Sequence, residues 1–164
     1  GVEPDIMTIG KGLTAGYLTM SAVLTTQAVA DTISRGEAGV LMHGPTFMAN
    51  PLSCAIAVES LKMLREKDMA KTVADIEQIM KQELAKAKEL EQVADVRVLG
   101  SIGVIETKDC VDVGRFQRKC VDKGVWIRPF GHNCYIMPPY IISEDQLRCL
   151  CRALIELVSD ADNY

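Results

Sequence analysis

The sequence has few aromatic residues and no excess of basic ones. Aromatic residues make up 5% of the 164 positions, and the formal net charge is −4 without a clustered Lys/Arg tract. Nucleic acids and anionic membranes are bound mainly by basic surfaces, often with aromatic side chains among them. This composition therefore argues against both partners and favours a small soluble molecule.

Long apolar runs and paired cysteine motifs are also absent. No run reaches the roughly 20 residues of a membrane-spanning helix, and the start of the chain lacks the pattern of a secretory signal. The six cysteines are scattered, with Cys149 and Cys151 in a C-x-C arrangement that is not a zinc or redox motif. We therefore expect a cytoplasmic protein with buried, reduced thiols and no metal site.

The residues that are present suit a folded α/β protein. Apolar residues make up 48% of the chain, enough for a core in one domain or two small ones. The chain begins at Gly1, without an initiator methionine, and runs directly into GVEPDIMTIG. We therefore expect a fragment of a larger protein.

Periodicity and capping signals predict an alternation of strands and helices. In the first part the pattern predicts strands at Ile6–Ile9 and Leu18–Leu24, a helix from a cap at Thr26 to about Ser34, and a helix from Asn50 and Pro51 to about Glu66. In the second part it predicts a helix over 69–90, a hairpin over 93–107 and a helix over 113–122 with Val113, Phe116 and Cys120 inward. Short strands at 125–127 and 134–137 follow, and then a last helix that begins with a capping box of Ser143 and Gln146.

Lys11 is the first candidate for chemistry. It lies between the first two predicted strands, flanked by Gly10 and Gly12 in DIMTIGKGLTAG. A lysine in such a turn can project its amine into a cleft and form a Schiff base with an aldehyde cofactor. The alternative is a solvated surface charge, which is the usual role of an isolated lysine.

Two further segments favour the chemical role. HGPTFMANPL offers the Thr46 hydroxyl and free backbone N–H groups ahead of a helix, as a phosphate site does, although an ordinary turn threonine fits equally well. In WIRPFG, Arg128 lies among apolar residues, where an unpaired guanidinium is costly. Its partner is either a substrate carboxylate or one of the chain's own carboxylates, and both remain open.

With these segments, the sequence resembles the C-terminal part of a class III (fold type I) aminotransferase. The resemblance rests on GKGLTAGYLTMSAVLTT, HGPTFMANPLSCA, VADVRVLGSIGVIET and GVWIRPFGHNCYIMPPYIIS, in that order. It implies an α/β fold in which residues 1–66 form the end of the large cofactor-binding domain and residues 67–164 the small α+β domain.

The resemblance also implies roles for individual residues. Lys11 would be the catalytic lysine that binds pyridoxal 5'-phosphate covalently. Pro45 and Thr46 would contact the cofactor phosphate across a homodimer interface, in the neighbouring subunit's site. Gly44 would contact the substrate, and Arg128 would hold its carboxylate.

The wording of PTFM and WIRPFG is most similar to the biotin-pathway branch of the family. It implies transfer of an amino group from S-adenosylmethionine to 8-amino-7-oxononanoate, giving 7,8-diaminononanoate. Two alternatives stay open: a class III enzyme that uses lysine or another ω-amine as donor, and a non-catalytic interaction fragment.

The sequence departs from the family pattern at three small residues and lacks one region. Ala15 and Ala49 stand where glycine is usual, and Gly12 stands where alanine is common. We expect these exchanges to leave the chemistry intact. The resemblance places the glycine-rich phosphate loop and the aspartate that pairs with the pyridine nitrogen before residue 1, so we expect the isolated chain to be inactive and to expose apolar surface.

Overall fold

A computed structural model of the protein describes residues 2–164. The chain divides into two compact units, one ending at Asp68 and the other spanning Met69–Tyr164. No helix of the described part is long and apolar enough to cross a membrane. The assignment of these units to a large and a small domain of a longer protein stays a prediction.

The first unit begins with an antiparallel ribbon of strands β1 (Ile6–Ile9) and β2 (Ala22–Thr25). Lys11 lies in the connection between them, as predicted. The second strand was predicted to begin at Leu18, but it begins at Ala22. The reason is that the Leu18 carbonyl accepts a hydrogen bond from the Thr14 hydroxyl, which holds this segment in a turn.

Helices α1 (Gln27–Arg35) and α2 (Pro51–Glu66) complete the first unit. Thr26 occupies the cap position of α1, but its side chain accepts no hydrogen bond there. The start of α2 is confirmed: the Asn50 side chain accepts from the backbone N–H groups of Leu52 at 3.0 Å and Ser53 at 3.1 Å.

Only small side chains are buried in this unit. Thr14, Ser53 and Ala57 are its buried residues, and α2 packs against the turn that carries Lys11. The large apolar residues of α2 remain at the surface, among them Leu52, Leu61 and Leu64. The Lys11 turn therefore contacts α2 through backbone and small side chains, and this contact buries little apolar area.

The second unit contains a three-stranded antiparallel sheet in the order β3-β4-β5. Its strands are β3 (Val93–Leu99), β4 (Ile102–Thr107) and β5 (Asn133–Ile136), and the predicted hairpin is confirmed. The strand predicted at residues 125–127 is wrong. The Val125 N–H donates to the Cys120 carbonyl at 3.0 Å, so this segment is tied to the end of a helix and joins no sheet ladder.

Three helices accompany the sheet: α3 (Met69–Leu84), α4 (Val113–Asp122) and α5 (Glu144–Ser159). The helix predicted over 69–90 changes to a 3-10 helix at Ala85–Glu89. In α4, Phe116 and Cys120 are buried as predicted, but Val113 is 41% exposed because it is the first residue of the helix, directly after its Asp112 cap. The capping box of α5 is confirmed.

The core of this unit forms where α3 and α5 pack against each other and against the sheet. Met80, Leu84, Ile105, Leu154 and Leu157 are fully buried there. Gly103 of β4 faces the helices, and a Cβ at this position would lie 2.7 Å from Leu84 Cδ1 and 3.2 Å from Met80 Sδ. The close fit of α3 on the sheet therefore requires glycine.

Replacing Gly103 by alanine tests this fit. Because Leu84 and Met80 are fully buried and have no space to move into, we expect Gly103→Ala to lower the free energy of unfolding by about 1–3 kcal/mol in urea denaturation. The matched control is Gly114→Ala in α4, where the nearest atom lies at 3.3 Å and alanine favours the helix by up to about 1 kcal/mol. Equal stability of the two variants would contradict the proposed fit.

Candidate functional site

Lys11 lies in a strained turn directly after β1. It is the first residue of a 3-10 helix, Lys11–Thr14, and its φ of +50° is in the left-handed region. Backbone hydrogen bonds from Leu13 to Gly10 at 3.2 Å and from Ala15 to Gly12 at 3.0 Å close the turn. A non-glycine residue adopts this conformation only where its surroundings hold it, and such residues cluster at functional sites.

A buried hydroxyl holds this turn in place. Thr14 is fully buried and donates its hydroxyl hydrogen to the Leu18 carbonyl, while α2 packs against the same turn. The sequence analysis missed Thr14. A hydroxyl three residues after the lysine is common in turns, so the sequence carried no signal that this one is buried.

The Lys11 side chain is exposed and lines an open concavity of about 360 Å³. Its other walls include Tyr17, Thr19 and Met20. Within residues 2–164, no carboxylate or hydrogen-bond acceptor engages the Lys11 amine. The amine is therefore accessible and is not used to hold the fold together.

The loop with Gly44, Pro45 and Thr46 is exposed throughout and closes with a hydrogen bond from the Met48 N–H to the Pro45 carbonyl at 2.9 Å. The first turn of α2 offers no free donor. Asn50 accepts from Leu52 and Ser53 through its side chain and from Cys54 through its carbonyl, and Pro51 has no N–H.

The donors that remain for an anion lie in the turn itself. Among the described residues, the backbone N–H groups of Thr46 and Phe47 have no acceptor, and the Thr46 hydroxyl makes no hydrogen bond. The free N–H groups that the sequence analysis expected ahead of the helix are therefore these two. They are two adjacent donors beside a hydroxyl, a combination that suits an anion.

Pro45 and Lys11 line neighbouring concavities. Pro45 belongs to one that shares Thr19 and Met20 with the Lys11 concavity. Thr46 lines neither of them. The structure thus brings Pro45 close to the walls of the lysine site, whereas Thr46 does not line these walls.

Arg128 belongs to the second unit and is exposed. No ion pair or hydrogen bond to its guanidinium occurs in the described part of the chain, so the internal carboxylate partner considered above is absent. The expected apolar burial is also absent, because the neighbouring side chains of Trp126 and Phe130 are 70% and 78% exposed. Arg128 lines a cavity of about 670 Å³ together with Tyr135 and Trp126.

Comparison with known proteins identifies the family. Residues 1–158 match the family described as aminotransferase class-III. The chain belongs to this family. The α/β fold class predicted from the sequence is confirmed by the helices and antiparallel sheets described above and by a solved structure of a relative.

Several curated relatives of this class III chain share one name. The chain is 48% identical to adenosylmethionine-8-amino-7-oxononanoate aminotransferase of Corynebacterium glutamicum over 94% of its length and 37% of the relative's. It is 46% identical to the Mycobacterium leprae protein of that name, over 96% and 36% of the two chains. The chain therefore spans little more than a third of these relatives.

A crystal structure of the Methanocaldococcus jannaschii protein of the same name is similar to this fold. The TM-score is 0.84 and the identity 34%, over 98% of this chain and 40% of that one.

The backbone at Ala15 and Ala49 is left-handed, with φ angles of +51° and +53°, a conformation that favours glycine, as the resemblance implied for these positions. A Cβ at Gly12 would meet no atom within 4 Å, so alanine is tolerated there.

The left-handed alanines lead to a prediction on stability. Because a Cβ disfavours φ near +50°, we expect Ala49→Gly to raise the free energy of unfolding by about 1 kcal/mol. The matched control is Gly39→Ala, at φ +66° with open space around the added Cβ, which should lower it by a similar amount. Denaturant unfolding checks both. A loss of stability in Ala49→Gly would show that this backbone is not left-handed.

Proposed function

We propose that this chain is part of a pyridoxal-phosphate-dependent aminotransferase and supplies its catalytic lysine. The observation that carries the proposal is the Lys11 amine, which lies free in a strained, well-held turn at the wall of a concavity. Family membership and the relatives' shared name support it. By that name, the reaction transfers the amino group of S-adenosylmethionine to 8-amino-7-oxononanoate, as in biotin biosynthesis.

The groups that this chain leaves unpaired fit the cofactor. Pyridoxal phosphate supplies an aldehyde that takes an amino group from a donor and passes it to a ketone, and it carries a phosphate. The chain offers an amine at Lys11 for the aldehyde. It also offers the Thr46 hydroxyl with two adjacent N–H groups for the phosphate.

Lys11 has two tasks in this proposal. Its Nζ would hold the cofactor through a covalent bond, and as a free amine it would accept and return the proton of the substrate carbon. Both tasks need an amine without a structural ion pair, as Lys11 has among the described residues. The left-handed backbone fixes where the side chain leaves the turn.

Pro45 and Thr46 belong to the phosphate site of a second copy in this proposal. In support, Thr46 does not line the Lys11 concavity of its own chain, although Pro45 lies beside the shared walls. A homodimer with its sites at the interface accounts for an exposed loop whose donors have no partner within the chain. Gly44, whose missing Cβ leaves open space, would let the substrate approach the loop backbone.

Arg128 would bind the carboxylate of the oxononanoate. Its guanidinium has no internal partner, and a planar fork pairs with a carboxylate through two parallel hydrogen bonds. The apolar lining of its cavity, with Trp126 and Met137, suits an aliphatic chain next to that carboxylate. Lysine or another ω-amine as donor, and a non-catalytic fragment, remain the alternatives, and the relatives' name favours neither.

The covalent role of Lys11 is tested in the longer protein that carries this chain. After loading with pyridoxal phosphate and reduction with borohydride, we expect the added mass on the peptide with Lys11. Lys11→Ala should lose the label and lower turnover of S-adenosylmethionine and 8-amino-7-oxononanoate by at least about 100-fold.

The matched control for Lys11 is Lys62→Ala, which removes an exposed lysine that pairs with Glu59 at 3.5 Å. It should keep both label and turnover. Labelling spread over several lysines would rule out the covalent role. A selective label at Lys11 without turnover of this pair, but with turnover of another amine donor, would support the ω-amine alternative.

The role of Arg128 is tested by comparing two acceptors. Because charged hydrogen bonds contribute about 1.5–3 kcal/mol, we expect Arg128→Ala to raise the KM for 8-amino-7-oxononanoate by roughly 10- to 100-fold. The methyl ester of the same acceptor should show little change. Arg152→Ala, which removes another exposed arginine of the same unit, is the control. An equal loss with acid and ester would assign Arg128 to a role other than carboxylate binding.

A further inference from the structure

Cys110 and His132 form a pair of reactive side chains outside the proposed site. Cys110 follows β4, and His132 precedes β5 in the same unit. The Cys110 Sγ lies 3.4 Å from His132 Nε2, within hydrogen-bond distance for sulfur, and both residues are exposed. A small molecule from solvent can therefore reach the sulfur.

The second ring nitrogen of His132 fixes the direction of this hydrogen bond. Its Nδ1 lies 3.0 Å from the Thr107 carbonyl oxygen. A carbonyl oxygen can only accept, so in the neutral imidazole Nδ1 carries the hydrogen and Nε2 presents its lone pair. The Cys110 thiol is then the donor, and His132 is its proton acceptor.

The histidine is anchored to the sheet. Its carbonyl accepts from the Thr107 N–H at 2.8 Å, and Thr107 is only 1% exposed. Backbone and ring of His132 are thus both bound to one buried residue of β4. A nucleophile, a base at hydrogen-bond distance and a third group that orients the base form the arrangement of an activated nucleophile.

The other cysteines of the chain differ from Cys110. Cys120, Cys134 and Cys151 are buried, and burial raises the pKa of Cys134 and of Cys151 to about 12, so these thiols are inert. Cys149 is exposed like Cys110 and Cys54 is half-buried, but in the described structure neither of these two thiols has a histidine or other hydrogen-bond partner.

The charged residues next to the two exposed cysteines in the sequence would make Cys149, not Cys110, the more reactive thiol. Asp109 precedes Cys110, and Arg148 precedes Cys149. A neighbouring cation promotes the thiolate and a neighbouring anion opposes it, so sequence context alone would make Cys149 the more reactive thiol. Among the described residues, His132 is the group whose contact can raise the reactivity of Cys110 above this expectation.

We propose that Cys110 is a modification site, activated by His132, that reacts with small disulfides such as oxidised glutathione. The Cys110 sulfur attacks one sulfur of the disulfide while its proton passes to His132 Nε2. The disulfide bond breaks as the new S–S bond forms, and the leaving thiolate takes the proton from His132. One thiol and one disulfide give one mixed disulfide and one thiol, without net oxidation.

The rate of alkylation tests the activation within a single molecule. The reduced 164-residue chain is treated at neutral pH with limiting iodoacetamide, a neutral probe, and the labelled peptides are quantified by mass spectrometry. Because a free thiol is only a few per cent thiolate, we expect Cys110 to react at least about tenfold faster than Cys149. In denaturant the ratio of the Cys110 rate to the Cys149 rate should fall to one or below.

Two variants and the disulfide itself complete the test. His132→Asn should slow Cys110 to the rate of Cys149 or below and leave Cys149 unchanged, with Cys134 still protected as a sign that the fold is intact. Oxidised glutathione should form its mixed disulfide at Cys110, and Cys110→Ser should abolish this product.

Three results would overturn the proposal: equal native rates at Cys110 and Cys149, an unchanged Cys110 rate in His132→Asn, or a mixed disulfide that forms first at Cys149. If Cys134 became labelled in His132→Asn, that variant would report unfolding. The test would then rest on the unaltered chain alone, by comparing the labelling rates of Cys110 and Cys149 in the native and the denatured state.

Discussion

The packing of α3 and α5 on the three-stranded sheet is the interaction on which the second unit depends. It buries Met80, Leu84 and Leu154 completely and leaves no space at Gly103. The same core orients Arg128: Ile127 and Pro129 are buried while Arg128 and Phe130 are exposed. Alternate burial along this irregular segment directs the guanidinium outward, while backbone hydrogen bonds hold the two ends of the segment at Val125 and Phe130.

In the first unit the shape of the loops around Lys11 depends on the backbone conformation of a few residues and not on a large apolar core. Its buried residues are small, and its large apolar side chains, such as Met42 and Phe47, are exposed in the described chain. Left-handed conformations at Lys11, Ala15 and Ala49 give the loops around the lysine their shape. A unit with so little buried apolar area has little free energy to offset this strain, which agrees with the expectation that the isolated chain exposes apolar surface.

The elements that were predicted correctly are those specified by residues close together in the sequence. Asn50 before Pro51 and the Ser143 capping box specify helix starts through neighbouring residues only, and both were predicted correctly. The irregular segment at 125–127 was not, because its backbone bonds to the end of α4, which a strand-like pattern does not reveal. Cys110 and His132 lie 22 positions apart in the sequence, and only the pairing of β4 with β5 brings them together. The left-handed φ angles of Ala15 and Ala49 likewise could not be predicted from alanine, which disfavours them.

Several cations of the described surface are paired with carboxylates. Arg148 contacts Glu83 at 2.6 Å, and Lys119 contacts Asp160 at 2.5 Å. Hydrogen bonds from Lys86 and from Arg148 lower the pKa of the Glu83 carboxyl. Lys11 and Arg128 have no such partner among residues 2–164.

Other cations of the described chain, Arg152 among them, are also unpaired, so what sets these two apart is that each lines a concavity. A nearby carboxylate would compete with the substrate for the guanidinium and with the cofactor aldehyde for the lysine amine. The Thr46 and Phe47 N–H groups follow the same logic, because Asn50 satisfies the first turn of α2 and leaves the donors of the loop free. The absence of internal partners is thus what makes these residues available for a ligand.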